Sequence, residues 1–120
     1  MIMKKILIAE DNDSNYILMT YILKKFYQYE RAKNGKEAVE MVEKNGYDIV
    51  LMDIKMPIMD GLEATKAIKE THPDLPVVAL TANAFDSDRQ LAIEAGCNDF
   101  LAKPVSSDLC LMTIKKFLGE

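Results

Sequence analysis

Five short strand-like runs, each followed by a stretch with helical periodicity, constrain this 120-residue chain more than any other feature. Such an alternation predicts an α/β domain built on a parallel sheet. Strands are expected near 5–9, 29–32, 48–53, 76–81 and 99–102. Ile49-Val50-Leu51-Met52 and Val77-Val78-Ala79-Leu80 are continuously apolar, as strands covered on both faces must be. The run at 29–32 merely alternates, Tyr29 and Arg31 against Glu30 and Ala32, which marks an edge strand.

Helices are expected in the gaps. The first spans about 14–27 behind the cap candidates Asp13 and Ser14. The second spans about 36–45, between the Asn34-Gly35 turn and Asn45-Gly46. The third, about 62–71, opens after Asp60-Gly61 and stops before Pro73; the fourth, about 86–95, ends at Gly96. The fifth, about 106–118, has Ser106 or Ser107 as cap and Cys110, Ile114 and Phe117 on one stripe. No repeat or linker interrupts the pattern, so residues 1–120 read as one domain. The first helix is over-supplied with apolar side chains. Leu18, Ile22 and Phe26 form the expected buried stripe, and Tyr16, Ile17, Met19, Tyr21, Leu23 and Tyr27 are left over. That surplus is either extra core or a partner surface.

Composition narrows the function. Apolar residues make up 49% of the chain, enough for a real core. A net charge of −4 disfavours nucleic acid, whose phosphates recruit basic faces. No apolar stretch has the length of a membrane span, and Met1-Ile2-Met3-Lys4-Lys5 carries no cleavage-site pattern. Cys97 and Cys110 lack metal spacing and read as reduced thiols of a cytoplasmic protein.

The chemistry sits at the strand ends. Glu10-Asp11 follows Ile6-Leu7-Ile8-Ala9, Asp53 closes 49–52, Thr81 closes 77–80, and Lys103 follows Phe100-Leu101-Ala102. Parallel strands bring these groups to one sheet edge, where ligands of open α/β sheets bind. Glu10, Asp11 and Asp53 contribute −3 and Lys103 returns +1, leaving −2. Two like charges ~4 Å apart cost roughly 4 kcal/mol at an effective dielectric of about 20. A divalent cation removes that strain, and Mg²⁺ accepts one or two carboxylates, waters and a phosphate oxygen. A carboxylate such as Asp53 can attack phosphorus to form an acyl phosphate. Lys103 and the cation would then neutralise the phosphoryl oxygens, Thr81 would hydrogen-bond one of them, and the small Ala82 leaves access. The Lys103-Pro104 bond is a candidate cis peptide.

Four segments together resemble the response-regulator receiver domain of two-component signalling. They are Ile6 to Asn12, Leu51 to Gly61 (LMDIKMPIMDG), Ala79 to Ala84 (ALTANA) and Gly96 to Pro104 (GCNDFLAKP). The resemblance covers essentially the whole chain. It implies a flavodoxin-like doubly wound (βα)5 fold with strand order 2-1-3-4-5. It implies Asp53 as phospho-acceptor, and Mg²⁺ (or Mn²⁺) held by Glu10, Asp11, Asp53 and the backbone carbonyl of Lys55. Thr81, Ala82 and Lys103 would bind the phosphoryl group, and Thr81 and Phe100 would be the switch residues. Glu10 replaces the commoner aspartate, and Lys55 and Asn83 take variable positions that tune phosphoryl lifetime. The pattern is most similar to receivers of hybrid sensor histidine kinases. That likeness implies a histidine kinase or His-phosphotransfer partner docking on the first helix through Tyr16, Ile17 and Met19. It also implies a cytoplasmic location, as a separate protein or as the cytosolic part of a membrane-bound kinase, and no turnover of an outside substrate.

Other readings fit less well. An aspartate-nucleophile phosphatase resembles Asp-x-Asp at a strand end, and Lys55 stands where the second Asp would be. A flavin-binding module needs a Gly/Ser/Thr-rich phosphate loop, and Glu10-Asp11-Asn12-Asp13 repels phosphate. An interaction module that works without phosphorylation has no need of Asp53, Thr81 and Lys103 together. His72, beside Pro73 at a helix end, reads as a solvated cap. Met56 and Met59 follow Asp53 and would shape the rim of its pocket.

Overall fold

In the computed structural model, which describes residues 3–82 and 86–120, strands and helices alternate along the chain. The strands are β1 (Lys5–Ala9), β2 (Gln28–Ala32), β3 (Ile49–Asp53), β4 (Val77–Thr81) and β5 (Asp99–Ala102). The helices are α1 (Asp13–Leu23), α2 (Gly35–Lys44), α3 (Gly61–Thr71), α4 (Asp86–Ala95) and α5 (Ser107–Leu118). All strand pairs are parallel, in the order β2-β1-β3-β4-β5. The alternating run is therefore an edge strand, as its sequence predicts, and the two continuously apolar runs are interior and fully buried. Met1, Ile2, Asn83, Ala84 and Phe85 lie outside the described residues.

Two apolar layers flank the sheet. On one face Ile6, Ile8, Leu51 and Leu80 meet Met19, Ile22 and Leu23 of α1 and Cys110 and Ile114 of α5, with Phe117 partly buried beside them. On the other, Leu7, Val50, Val77 and Ala79 meet Ala38 and Val42 of α2, Ala64 and Ile68 of α3 and Ala92 of α4. Burial at roughly 25 cal/mol per Å² of apolar surface is what holds helices of ten to twelve residues in place.

Short polar side chains start the helices. Asn12, Asn34, Asp60 and Ser106 each accept a backbone N–H three residues on. For α1 the cap is Asn12 rather than Asp13 or Ser14. The expected stripe of α1 is also corrected. Leu18 and Phe26 are 41% and 50% exposed, and the side chains facing the sheet are Met19, Ile22 and Leu23, with Tyr27 beyond them. Two causes combine. The helix ends at Leu23, so Phe26 falls in the following turn, and apolar residues all round the helix left its phase open to sheet packing. Met19, expected on the partner surface, is 2% exposed and belongs to the core.

Candidate metal centre

Register brings the strand ends level. Ala9 pairs with Met52, Asp53 with Leu80, and Thr81 with Ala102. Glu10, Asp53, Thr81 and Lys103 therefore emerge along one line at the carboxyl edge of the sheet. Backbone bonds continue that alignment into the loops: Ile54 N–H donates to Leu80 C=O at 3.2 Å and Lys103 N–H to Thr81 C=O at 2.7 Å. The loop after Asp53 returns tightly, with Gly61 N–H donating to Ile54 C=O at 2.8 Å. A Cβ on Gly61 would collide with the backbone carbonyl of Asp53, so the Asp60-Gly61 pair both caps α3 and lets it approach β3.

Glu10 and Asp53 are almost wholly buried, at 0% and 5% exposure. Lys103 Nζ lies 2.8 Å from Glu10 Oε1 and 3.2 Å from Asp53 Oδ1, and the Lys103-Pro104 peptide is cis. The Lys55 N–H donates to Asp53 Oδ1 at 3.3 Å. Oxygens of Glu10, Asp11 and Asp53 lie within 4.8 Å of one another, Asp11 being exposed. Burial, then the neighbouring Glu10, push Asp53 up to about 7, with Lys103 opposing. Burial also pushes Glu10 up, but its hydrogen bond with Asp53 and the ammonium of Lys103 outweigh it, and Glu10 lies below its ordinary value. Lys103 rises despite burial, because two carboxylates hold its proton.

Asp53, Lys55, Thr81, Ala82 and Lys103 line one cleft of about 160 Å³. The Thr81 hydroxyl oxygen is buried and has no hydrogen-bond partner among the described residues. A buried hydroxyl without a partner costs about 1–3 kcal/mol, which a ligand oxygen would recover. The donor set is all oxygen, negatively charged in excess and partly open, which fits a hard divalent cation with room for waters. Asn83 lies outside the described residues, and Phe100 stands apart from the cleft, half-buried against the α2–α4 layer with the Arg89 guanidinium 5.0 Å above its ring.

The sequence model of the response regulator receiver domain matches residues 6–115. The chain belongs to that family. This receiver is 44% identical to hybrid signal transduction histidine kinase B of Dictyostelium discoideum, over 97% of this chain and 7% of that protein. It spans only 5–18% of the first four curated relatives, which include three hybrid kinases. Among solved structures it is similar to the receiver domain of the sensor histidine kinase PA1611 from Pseudomonas aeruginosa, with a magnesium ion coordinated in the active site cleft. That match has 34% identity and a TM-score of 0.92 over 98% of this chain and 99% of the other. It is also similar to a chain in the co-crystal of the Saccharomyces cerevisiae histidine phosphotransfer protein Ypd1 with the receiver domain of Ssk1. There the identity is 32% and the TM-score 0.90, over 96% of this chain and 88% of that one. The flavodoxin-like order 2-1-3-4-5 expected from the resemblance is the order found.

Two neighbours of the site escaped sequence reading. Asp88, in the first turn of α4, lines the cleft beside Lys103. Arg31, on β2, reaches the acidic loop: its Nε donates to the Glu10 backbone carbonyl at 3.0 Å. The Arg31 signal was present in outline, as a lone arginine near the end of an edge strand paired to the strand that Glu10 ends. No sequence signal marks Asp88.

Proposed function

We propose that this receiver takes a phosphoryl group from a partner's phosphohistidine onto Asp53, with Mg²⁺ held by Glu10, Asp11, Asp53 and the Lys55 backbone carbonyl. The observation that carries this reading is the buried Asp53 carboxylate, paired with Lys103, on a cleft that also holds the unpartnered Thr81 hydroxyl. An Asp53 oxygen forms the new P–O bond as the P–N bond to the imidazole breaks. The imidazole keeps the electron pair and takes up a proton from water. Bound Mg²⁺, or Mn²⁺ in its place, supplies positive charge to the phosphoryl oxygens. Lys103 shifts part of its charge from Glu10 to the same oxygens, Thr81 donates to one of them, and Ala82 leaves the approach open. Engagement of the Thr81 hydroxyl by the phosphoryl group and rearrangement of Phe100 form the switch that carries the signal outward.

The partner is a histidine kinase or a His-phosphotransfer domain, and it docks on α1. Ile17, Leu18 and Tyr21 are exposed there, Tyr16 is half-buried, and Met19 is excluded by its burial. Leu18 borders a crevice that reaches Glu10, Lys103 and Pro104, so a protein seated on α1 lies beside the acceptor. Residues 1–120 act as a single receiver unit in the cytoplasm, consistent with two free, buried thiols. No described helix is long and apolar enough to cross a membrane. The unit binds no nucleic acid and turns over no outside substrate; it catalyses its own phosphorylation and slow dephosphorylation.

Intact mass after treatment with acetyl phosphate tests the reading. One phosphoryl adduct is expected with Mg²⁺, and none without metal or in Asp53→Asn. An adduct that persists in Asp53→Asn would sink the assignment. No adduct, with no beryllofluoride complex either, would favour an interaction module that works without phosphorylation.

A further inference from the structure

Glu10 and Asp11 are joined by a single peptide plane, which carries the Glu10 carbonyl and the Asp11 N–H together. Orienting that plane aims both acidic side chains at once. Lys103 ties Glu10 to Asp53, but both repel the Asp11 carboxylate, so the loop needs a restraint to keep Asp11 convergent with them. Asp11 supplies none itself, since its side chain is exposed and makes no hydrogen bond among the described residues.

The restraint comes from the edge strand. Arg31 pairs with Ile8 in the register of β1 and β2, and Glu10 N–H donates to Ala32 C=O at 3.0 Å. Arg31 Nε donates to the Glu10 carbonyl oxygen at 3.0 Å, while its Nη2 lies 2.9 Å from Asp13 Oδ1. Its guanidinium carbon sits 4.4 Å from the centre of the Tyr16 ring, which in turn meets Tyr29 edge-on. The side chain is only 16% exposed, so the Tyr16 ring and the Glu10 carbonyl hold the fork, with the largely exposed Asp13 carboxylate as a nearby counter-charge.

We propose that Arg31 is a positioning residue for the cation site, holding the Glu10-Asp11 peptide so that both carboxylates face Asp53. The inference rests on the metal assignment made above. It makes a prediction opposite in sign to simple electrostatics. Removing a positive charge beside an acidic cluster tightens cation binding by Coulomb's law, whereas removing a positioning residue weakens it.

Calorimetric titration of Mg²⁺ into wild type, Arg31→Met and Arg31→Lys separates the two. Arg31→Met is expected to weaken Mg²⁺ binding about tenfold or more, in the range found when a metal ligand loses its supporting hydrogen bond. Its acetyl-phosphate labelling rate at saturating Mg²⁺ is expected to stay within about threefold of wild type, because Arg31 does not line the phosphoryl cleft. Equal or tighter Mg²⁺ binding in Arg31→Met overturns the proposal. If circular dichroism shows that Arg31→Met does not fold, Arg31→Lys decides. It keeps the charge but loses the planar fork, and undiminished affinity there overturns the proposal in the same way. A wild type that binds no Mg²⁺ removes the metal assignment and this inference together. A binding wild type with an unimpaired variant removes only the role of Arg31.

Discussion

The two ends of the sheet are built from the same side-chain types and treat them in opposite ways. At the carboxyl end, Glu10 and Asp53 are buried against a single lysine, and Asp11 adds a further negative charge. At the amino end, Lys5 pairs with Glu30 at 3.2 Å where the side chains are 31% and 41% exposed, and Tyr47 donates to Glu30 at 2.5 Å. The Lys5 N–H donates to Asp48, and Lys69 Nζ donates to Leu75 C=O at 2.6 Å and Asn98 Oδ1 at 2.8 Å. Each amino-end group is satisfied within the fold. The carboxyl end retains excess charge and a hydroxyl without a partner among the described residues, which a cation and a phosphoryl group would complete. An end that is satisfied stabilises the protein, and an end left incomplete is available to a ligand.

Substitution of the lysine at each end should show the largest contrast. Lys103→Met is expected to slow acetyl-phosphate labelling of Asp53 by about 10²–10³-fold, the usual cost of removing one oxyanion-type donor. Lys5→Met should leave the rate unchanged; equal losses in both, followed by mass spectrometry over time, would erase the distinction. Stability should move the other way. In chelator at pH 7.5, Asp53→Asn is expected to raise unfolding free energy by roughly 1–3 kcal/mol, because it removes an excess buried charge and leaves Glu10 and Lys103 balanced. Glu30→Gln should lower it by less than about 1 kcal/mol, its ion pair being open to solvent. Urea unfolding of both variants checks the signs.

The ends should also answer pH in opposite directions. Asp53, raised from 3.8 to about 7 by burial and then by Glu10, binds its proton more tightly folded than unfolded. Its contribution is therefore full below about pH 4 and is lost as pH rises toward about 7. Glu30 is lowered from 4.5, first by the Tyr47 hydroxyl and despite some burial, with Lys5 adding to it. Its contribution is present above pH 4.5 and lost on acidification. In metal-free urea unfolding from pH 4 to 8, Asp53→Asn should gain on wild type as pH rises, and Glu30→Gln should lose on it. A parallel pair of curves would refute the contrast. The smallest effect expected is at Ile58, in the loop after Asp53. It is 79% exposed with φ at 71°, a region unfavourable for a β-branched residue. Ile58→Gly is expected to add about 0.5–1 kcal/mol, strain relief of ~1–3 kcal/mol being partly offset by glycine's entropy. A loss of stability in urea would show that the loop depends on the side chain.

Much of this was legible before the fold was known. Interior strands declared themselves because burial on both faces demands continuous apolar runs, and β2 because an edge strand tolerates Glu30 and Arg31. Glu10, Asp53, Thr81 and Lys103 could be grouped because parallel strands share one carboxyl edge. Helix α1 was not legible in the same way. Its apolar residues surround the axis, and choosing Met19 and Leu23 over Leu18 and Phe26 as the buried set required the packing of the sheet beneath it.

The chain alone thus determined which residues could be strands, where they end and which charges they deliver, since these follow from local hydrophobic period and from the polarity of strand ends. Only the tertiary structure decided what each charge faces. The clamp of Arg31 on the Glu10 carbonyl and the pairing of Lys103 with two buried carboxylates join residues from different strands, and the Thr81 hydroxyl finds no partner among the described residues. Register and helix phase set such contacts through packing of the whole core, and no local stretch of sequence contains that information.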